Sequence, residues 1–356
     1  MTLEIRRSAL ALVGVAVVLA GCGKMSTAQT CSPSQHREGL GCVCLPSEHQ
    51  VGTDCALNCT PSQRQVGLGC AWIFDGTTGT TWETRASNAA ETSMCPGFSE
   101  LDPTASAGFF NLDRQLFFKY DTAGDAWTTR AVPPIDMSCW PSPARVGETL
   151  YAIKGGAVYQ YAIATDTWST PVASGLPPTV YSMSASDDSG KVYAMVSDGS
   201  GNNQFLRYDT VSSSMGSSIP GIASPTWPAS GEARLGWDPK TKLMYVAPAY
   251  YQAQLWTLDP ATGTLTQKTS VPLVAPYTVS AVGDIFCSDR SGHLYAQGGD
   301  GCTSPTMFQY DTATDTWTRL TDLPFTPTCE GACTVTADGW LYVSHDGKAM
   351  ARLKLN

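Results

Sequence analysis

From Tyr120 to the C-terminus, short apolar runs with period-two alternation are broken every few residues by clusters of Asp, Thr, Gly and Ser. This is the pattern of short half-buried strands joined by tight turns. One unit recurs: Tyr120-Asp121-Thr122-Ala123-Gly124-Asp125-Ala126-Trp127 returns as Tyr161-Ala162-Ile163-Ala164-Thr165-Asp166-Thr167-Trp168 and as Tyr310-Asp311-Thr312-Ala313-Thr314-Asp315-Thr316-Trp317. An aromatic, a turn and then Trp predict a β-hairpin with an apolar anchor on each strand. Tyr208 to Met215 and Leu258 to Leu265 are weaker copies with the same offset, and Phe74-Asp75 followed by Trp82 is a degenerate one. Anchors at 120, 161, 208, 258 and 310 advance by the step of a propeller or similar repeat array.

A second constant precedes each hairpin, a turn leading into an apolar strand with an aromatic. It reads Asp188-Ser189-Gly190-Lys191-Val192-Tyr193, Asp289-Arg290-Ser291-Gly292-His293-Leu294-Tyr295 and Asp338-Gly339-Trp340-Leu341-Tyr342, with variants ending at Tyr151 and Tyr245. Gly155-Gly156 and Gly298-Gly299 end that strand, where positive φ is needed. First strands are expected near Met94, Met137, Val180, Thr226, Tyr277 and Cys329, which makes six blades. The last has Leu341 to Val343 and Met350 to Leu355 but no fourth strand. Thr81 to Arg85, around Trp82, is the candidate to complete it and close the ring, unless Phe74 starts a fuller hairpin. A position that recurs in every blade faces a neighbouring sheet, so Trp127, Trp168 and Trp317 are expected to pack blades together rather than bind a ligand.

The order Leu-Tyr-Ala, Gly-Gly, loop, Tyr-Asp, Trp resembles the kelch repeat of the galactose oxidase-like superfamily, over residues 72–356. The expected fold is therefore all-β: a six-bladed kelch-type β-propeller preceded by a small disulfide-rich module. The resemblance implies that loops entering each first strand, with those between second and third strands, rim one mouth of the central channel. That rim carries Trp140, Tyr181, Trp227, Glu232, Arg234, Tyr277 and Glu330. Aromatic faces with Glu and Arg are suited to a sugar or a peptide turn; the competing reading is that they plug the channel.

At the N-terminus Arg6 and Arg7 precede an apolar and small run from Ala9 to Ala20. It is too short for a bilayer span of about twenty residues and reads as an export signal over 1–21. Leu19-Ala20-Gly21-Cys22 resembles a bacterial lipobox, which implies cleavage before Cys22 and lipid attachment to it. With Gly23 and no Asp after it, the resemblance favours the outer membrane. Residues 22–30 then form a lipid-anchored tether. The net charge of −9 argues against nucleic acid as a partner.

Thirteen Cys, less Cys22, leave an even number in an exported chain, which points to disulfides. Residues 31–70 hold three copies of one short repeat, Cys31 to Cys42, Cys44 to Cys55 and Cys59 to Cys70. With few large apolar side chains this module needs covalent staples, of which the in-copy pairings are the simplest, at about 3 kcal/mol each. It is either an adhesive unit or a protease-resistant spacer. In the propeller two schemes fit. One pairs Cys95 with Cys139, Cys287 with Cys333 and Cys302 with Cys329; its rival pairs Cys329 with Cys333 and Cys287 with Cys302.

No cofactor or metal is implied, since the propeller's His293 and His345 do not make a copper site of the oxidase kind. Ser186 to Tyr193 is similar to an Asp-box, a structural turn. The functional expectation is a surface-anchored, non-catalytic binding or adhesion module for a protein or carbohydrate partner. The alternative is a sugar-modifying enzyme of the mutarotase or epimerase kind, using Glu232, Arg234 and Glu330 as acid and base groups.

Overall fold

The computed structural model describes the strands of residues 36–72. Within 79–355 it describes all but 89–96, 99–107, 114, 138–141, 175–180, 188, 198–202, 217–232, 249–252, 275–281, 283–284, 301–302, 328–330 and 346–348. The chain divides into two compact units, Met1–Cys70 and Ala71–Asn356. Among the described residues there is no helix long and apolar enough to cross a membrane.

In the first unit each Cys repeat copy corresponds to one antiparallel hairpin: His36–Glu38 with Gly41–Val43, Glu48–Val51 with Asp54–Leu57, and Gln63–Val66 with Gly69–Trp72. The closing Cys42, Cys55 and Cys70 fall on the second strands. Cys22, Cys31, Cys44 and Cys59 lie outside the described residues.

The second unit is a six-bladed β-propeller, each blade a four-stranded antiparallel sheet with one added strand in blade 2. Blade 1 comprises Gly97–Phe98, Phe109–Asp113, Leu116–Asp121 and Ala126–Thr129. Blade 2 comprises Ala144–Val146, Thr149–Lys154, Ala157–Ala162 and Thr167–Trp168, with Ala173–Ser174 added against its third strand. Blade 3 is Tyr181–Ser186, Lys191–Ser197, Asn203–Asp209 and Ser214–Gly216; blade 4 is Ala233–Asp238, Leu243–Pro248, Leu255–Leu258 and Leu265–Lys268. Blade 5 is Phe286–Ser288, His293–Gln297, Met307–Asp311 and Thr316–Arg319. Blade 6 takes Gly331–Val335, Trp340–His345 and Ala349–Lys354 from the C-terminus and its fourth strand, Glu83–Arg85, from the start of the domain. That fourth strand pairs Arg85 with Met350, Thr84 with Ala351 and Glu83 with Arg352, and the Gly79 N–H donates to the Lys354 carbonyl at 2.6 Å. Closure by the segment around Trp82 removes the exposed sheet edge that a three-stranded last blade would present.

The repeated hairpins occupy the third and fourth strands, in the register their spacing implies. Tyr120 lies opposite Trp127, Tyr161 opposite Trp168, Tyr310 opposite Trp317, Tyr208 opposite Met215 and Leu258 opposite Leu265. Of the expected first-strand starts, Met137 is paired in a single bridge ahead of Ala144–Val146, while Met94, Val180, Thr226, Tyr277 and Cys329 lie outside the described residues. The Gly pairs differ. Gly155, Gly156 and Gly299 have positive φ, whereas Gly298 does not; a Cβ on Gly298 would stand 2.5 Å from the Phe308 ring, so packing demands glycine there.

The core is distributed among six apolar clusters, one per seam between blades. The largest fully buried side chains are dominated by tyrosines of the second and third strands, Tyr120, Tyr161, Tyr208, Tyr245, Tyr295, Tyr310 and Tyr342. Cys287 in blade 5 is bonded to Cys333 in blade 6, with Cα atoms 5.7 Å apart, so neither bond of the rival scheme exists. Cys95, Cys139, Cys302 and Cys329 lie outside the described residues.

Candidate functional site

The repeated side chains form ties between blades. In blade 1 the Trp127 indole N–H donates to the Ala86 carbonyl (2.9 Å), and Asp125 accepts both the Ala86 N–H (2.8 Å) and the Tyr120 hydroxyl. A single residue of the preceding blade is thus held at both its N–H and its C=O. Trp168, Asp166 and Tyr161 hold Ala131 in the same way, and Trp317, Asp315 and Tyr310 hold Thr269. The clamping Asp residues sit in the left-handed region, with φ of 49, 54 and 57°. Asp tolerates that conformation better than most residues, which places a carboxylate at the bend of the hairpin. Trp82 supplies the indole arm for blade 6, donating to the Thr321 carbonyl at 2.9 Å.

A third tie links blade 5 to blade 4. Thr312 donates its hydroxyl to Asp238 at 3.0 Å, and Asp238 also accepts from the backbone and side chain of Thr241. Asp238 is the carboxylate that caps the turn between first and second strands; Asp187 and Asp289 are its counterparts in blades 3 and 5. Asp187 accepts from the N–H groups of Ser189 and Lys191, and Asp289 from those of Ser291 and His293. The turn in blade 3 therefore aligns on Asp187, not on Asp188 as its sequence was aligned above. Two adjacent Asp residues make that register ambiguous until the acceptor is seen. The Asp-box-like segment is this turn.

Blade 4 lacks all three ties toward blade 3. Leu258 replaces the Tyr, Pro260 the Thr, Gly263 the clamping Asp and Leu265 the Trp. A cleft of about 480 Å³ opens at this seam, lined by Asp187, Lys191, Tyr193 and Arg207 of blade 3 and by Trp237, Thr241, Lys242, Leu243, Asp259, Pro260 and Ala261 of blade 4. The volume lies within the range of small-molecule sites. These segments are the turns between first and second and between third and fourth strands, so the cleft lies on the face opposite the expected rim.

The charges of the cleft divide into engaged acids and less engaged bases. Asp187 accepts the Ser189 hydroxyl and the Tyr193 hydroxyl (3.1 Å) besides its two N–H bonds. Burial, with the Asp187 charge beside it, pushes the Tyr193 hydroxyl above its ordinary range, so it remains a donor. Asp259 accepts from the Ala261 N–H and the Thr262 hydroxyl, which hold its carboxyl below the usual range and keep it anionic. Among the cations, the Lys191 ammonium donates to Ser189 at 2.7 Å and lies opposite Asp209 across the strands. Arg207 and Lys242 have no side-chain hydrogen bond or ion pair among the described residues. On the floor, Trp237 is 6% exposed and its indole N–H has no acceptor among the described residues.

Of the rim residues, Tyr181 opens the first strand of blade 3, and Arg234 is the second residue of the first strand of blade 4, opposite Ala247 and buried. Adjacent blades bring these two first strands side by side. Trp140, Trp227, Glu232, Tyr277 and Glu330 lie outside the described residues. His293 bonds to Asp289 through Nδ1 at 2.8 Å, and His345 stacks on Phe325, so both are engaged within the fold. Sequence reasoning missed the cleft residues because it sought exceptional aromatics. The usable signal was the set of blade 4 positions at which the repeat is broken.

No protein-family model matches the chain, and no curated protein matches its sequence. Its fold is similar to that of a crystallised structural-genomics protein of unknown function from Bacteroides thetaiotaomicron, with a TM-score of 0.53 and 12% identity over 79% of this chain and 77% of that one. At that identity the likeness concerns the fold alone.

Proposed function

We propose that the propeller is a non-catalytic binding module of kelch type, carried at a membrane surface by lipid on Cys22 and holding a protein or carbohydrate partner. The observation that carries this reading is the coincidence of a cleft with the seam where blade 4 has lost the Tyr, Thr, Asp and Trp positions of the repeat. A closed ring with an apolar cluster in every seam is a rigid scaffold, and rigidity lowers the entropy lost on binding. The loops bearing Trp140, Tyr181, Trp227, Tyr277 and Glu330 belong to the same reading as a second surface for the partner. Residues 31–70 serve as a cross-linked spacer.

Two experiments test it. The full chain is applied to a glycan array and to whole-cell surfaces, beside Trp140→Ala with Trp227→Ala and beside Arg207→Gln; retention of a defined set of ligands is expected, and no retention would defeat the binding reading. Metabolic labelling with palmitate, followed by fractionation of the wild type and Cys22→Ser, is expected to give a labelled membrane protein and an unlabelled soluble variant. Anomeric exchange followed by NMR tests the mutarotase alternative, for which no change over the buffer rate is expected.

A further inference from the structure

Blade 6 contains the closest internal counterpart of the cleft wall. In it Tyr342 lies opposite Arg352, and Arg352 opposite Glu83 on the fourth strand. The Arg352 guanidinium donates to the Tyr342 hydroxyl at 3.1 Å and to the Glu83 carboxylate at 2.9 Å, and it lies 3.8 Å over the Trp340 ring. Blade 3 repeats the row with Tyr193 opposite Arg207 and Arg207 opposite Gly216. Trp340, two positions before Tyr342, corresponds to Lys191, two before Tyr193. The arginine is therefore kept while its carboxylate has been replaced by glycine and its aromatic support by a second cation. A Cβ on Gly216 would stand 3.2 Å from the guanidinium nitrogens, so the guanidinium lies over the vacant side-chain position.

We propose that the cleft is a binding site for a carboxylate-bearing sugar, whose carboxylate pairs with Arg207 as Glu83 pairs with Arg352. This rests on the binding-module reading and names the ligand class of its site. The planar guanidinium fork matches a carboxylate, and Lys191 and Lys242 add positive potential on either side. Asp259 flanks the same space as an acceptor, as sugar hydroxyls require, and the charges of Asp187 and Asp259 disfavour a doubly charged phosphate more than a singly charged carboxylate. Thr241 adds a hydroxyl to the lining, with Trp237, Leu243, Pro260 and Ala261 as its apolar part. The volume of about 480 Å³ admits a pyranose with its substituents.

The test is calorimetric titration of the full chain with glucuronate and galacturonate, against glucose, acetate and inorganic phosphate. Uronate binding that weakens with salt is expected, reduced roughly tenfold or more by Arg207→Gln and by Gly216→Glu, with Lys242→Gln costing a few-fold. Gly216→Glu supplies the missing carboxylate internally, so it is also expected to raise the melting temperature, which separates lost binding from lost folding. Glucose binding as tightly as the uronates, with Arg207→Gln unchanged, would overturn the carboxylate assignment and leave the binding module standing. Acetate or phosphate binding more tightly than the uronates would overturn the sugar or the carboxylate respectively. Ligand capture on arrays or cells without uronate binding would remove the cleft as the site, and capture of nothing would bring down both readings.

Discussion

Arg352, on the last strand of the chain, pairs with Glu83, on the strand that closes the ring, at 2.8 Å across 269 positions of sequence. The Arg352 and Arg85 guanidinium groups hold the Glu83 carboxyl below its ordinary range. The pair sits on strands that the backbone already joins by hydrogen bonds, so it marks the closure rather than carrying it, as expected for a partly exposed ion pair.

Closure itself is open to test by truncation. Ending the chain at Lys348 deletes the third strand of blade 6 and leaves Glu83–Arg85 without a sheet. The truncated chain is expected to lose its sharp thermal transition and its near-ultraviolet circular dichroism, because blade 6 is left with two strands and an exposed edge while its closing strand has no partner. A melt as sharp as that of the full chain would show that closure contributes little.

The Asp clamps make stability fall in acid. For Asp125 and Asp315, burial pushes the carboxyl up, but the bonds from Tyr120 and Ala86, and from Tyr310 and Thr269, outweigh it and bring the pKa below the ordinary 3.8. Asp166 follows the same course through Ala131 and Tyr161. A carboxyl with a lowered folded pKa contributes stability that is complete above the unfolded value and is lost as pH falls through the folded one. The melting temperature is therefore expected to drop steeply below about pH 4. Asp125→Asn, Asp166→Asn and Asp315→Asn keep the left-handed turn. Each is expected to cost about 1 kcal/mol at neutral pH, additively because the seams are separate, and to flatten the acid slope.

The disulfide between Cys287 and Cys333 closes a loop of 46 positions between adjacent blades. In the chain-entropy account that is about 4 kcal/mol. Replacing both residues with Ser is expected to lower stability to chemical denaturation by an amount of that order, with the folded circular dichroism spectrum unchanged. Peptide mapping of the oxidised protein is expected to recover the Cys287–Cys333 pair.

Two glycines that look alike in sequence should respond differently to alanine. Gly298→Ala drives a Cβ to 2.5 Å from the Phe308 ring, and the overpacking is expected to cost about 1–3 kcal/mol. Gly155→Ala meets nothing within 4 Å but has a φ of +59°, so its cost of about 1–2 kcal/mol is conformational. The same change at Gly298 in a Phe308→Leu background separates them, since only the steric cost is relieved.

Much of the fold was legible because hairpins are local. Tyr120 and Trp127 are seven positions apart, and the turn between them sets their register, so spacing alone predicted the facing pair. The recurrence of that unit counted the blades, and the missing strand at the C-terminus pointed to the segment around Trp82. The turn cap at Asp187 rather than Asp188 was settled only by the direction of its backbone N–H donors.

The candidate site divides along the same line. Loss of Tyr, Thr, Asp and Trp at Leu258, Pro260, Gly263 and Leu265 is written in the sequence, because each departs from a local repeat. That these losses face Lys191 and Arg207 of the preceding blade, and that Gly216 stands where Glu83 stands beside Arg352, is not. Glu83 and Arg352 meet only when the two ends of the domain form one sheet, and the seam exists only when separate blades pack side by side. Local periodicity therefore determined the blades, and contacts between distant strands decided where a charge was left without its partner.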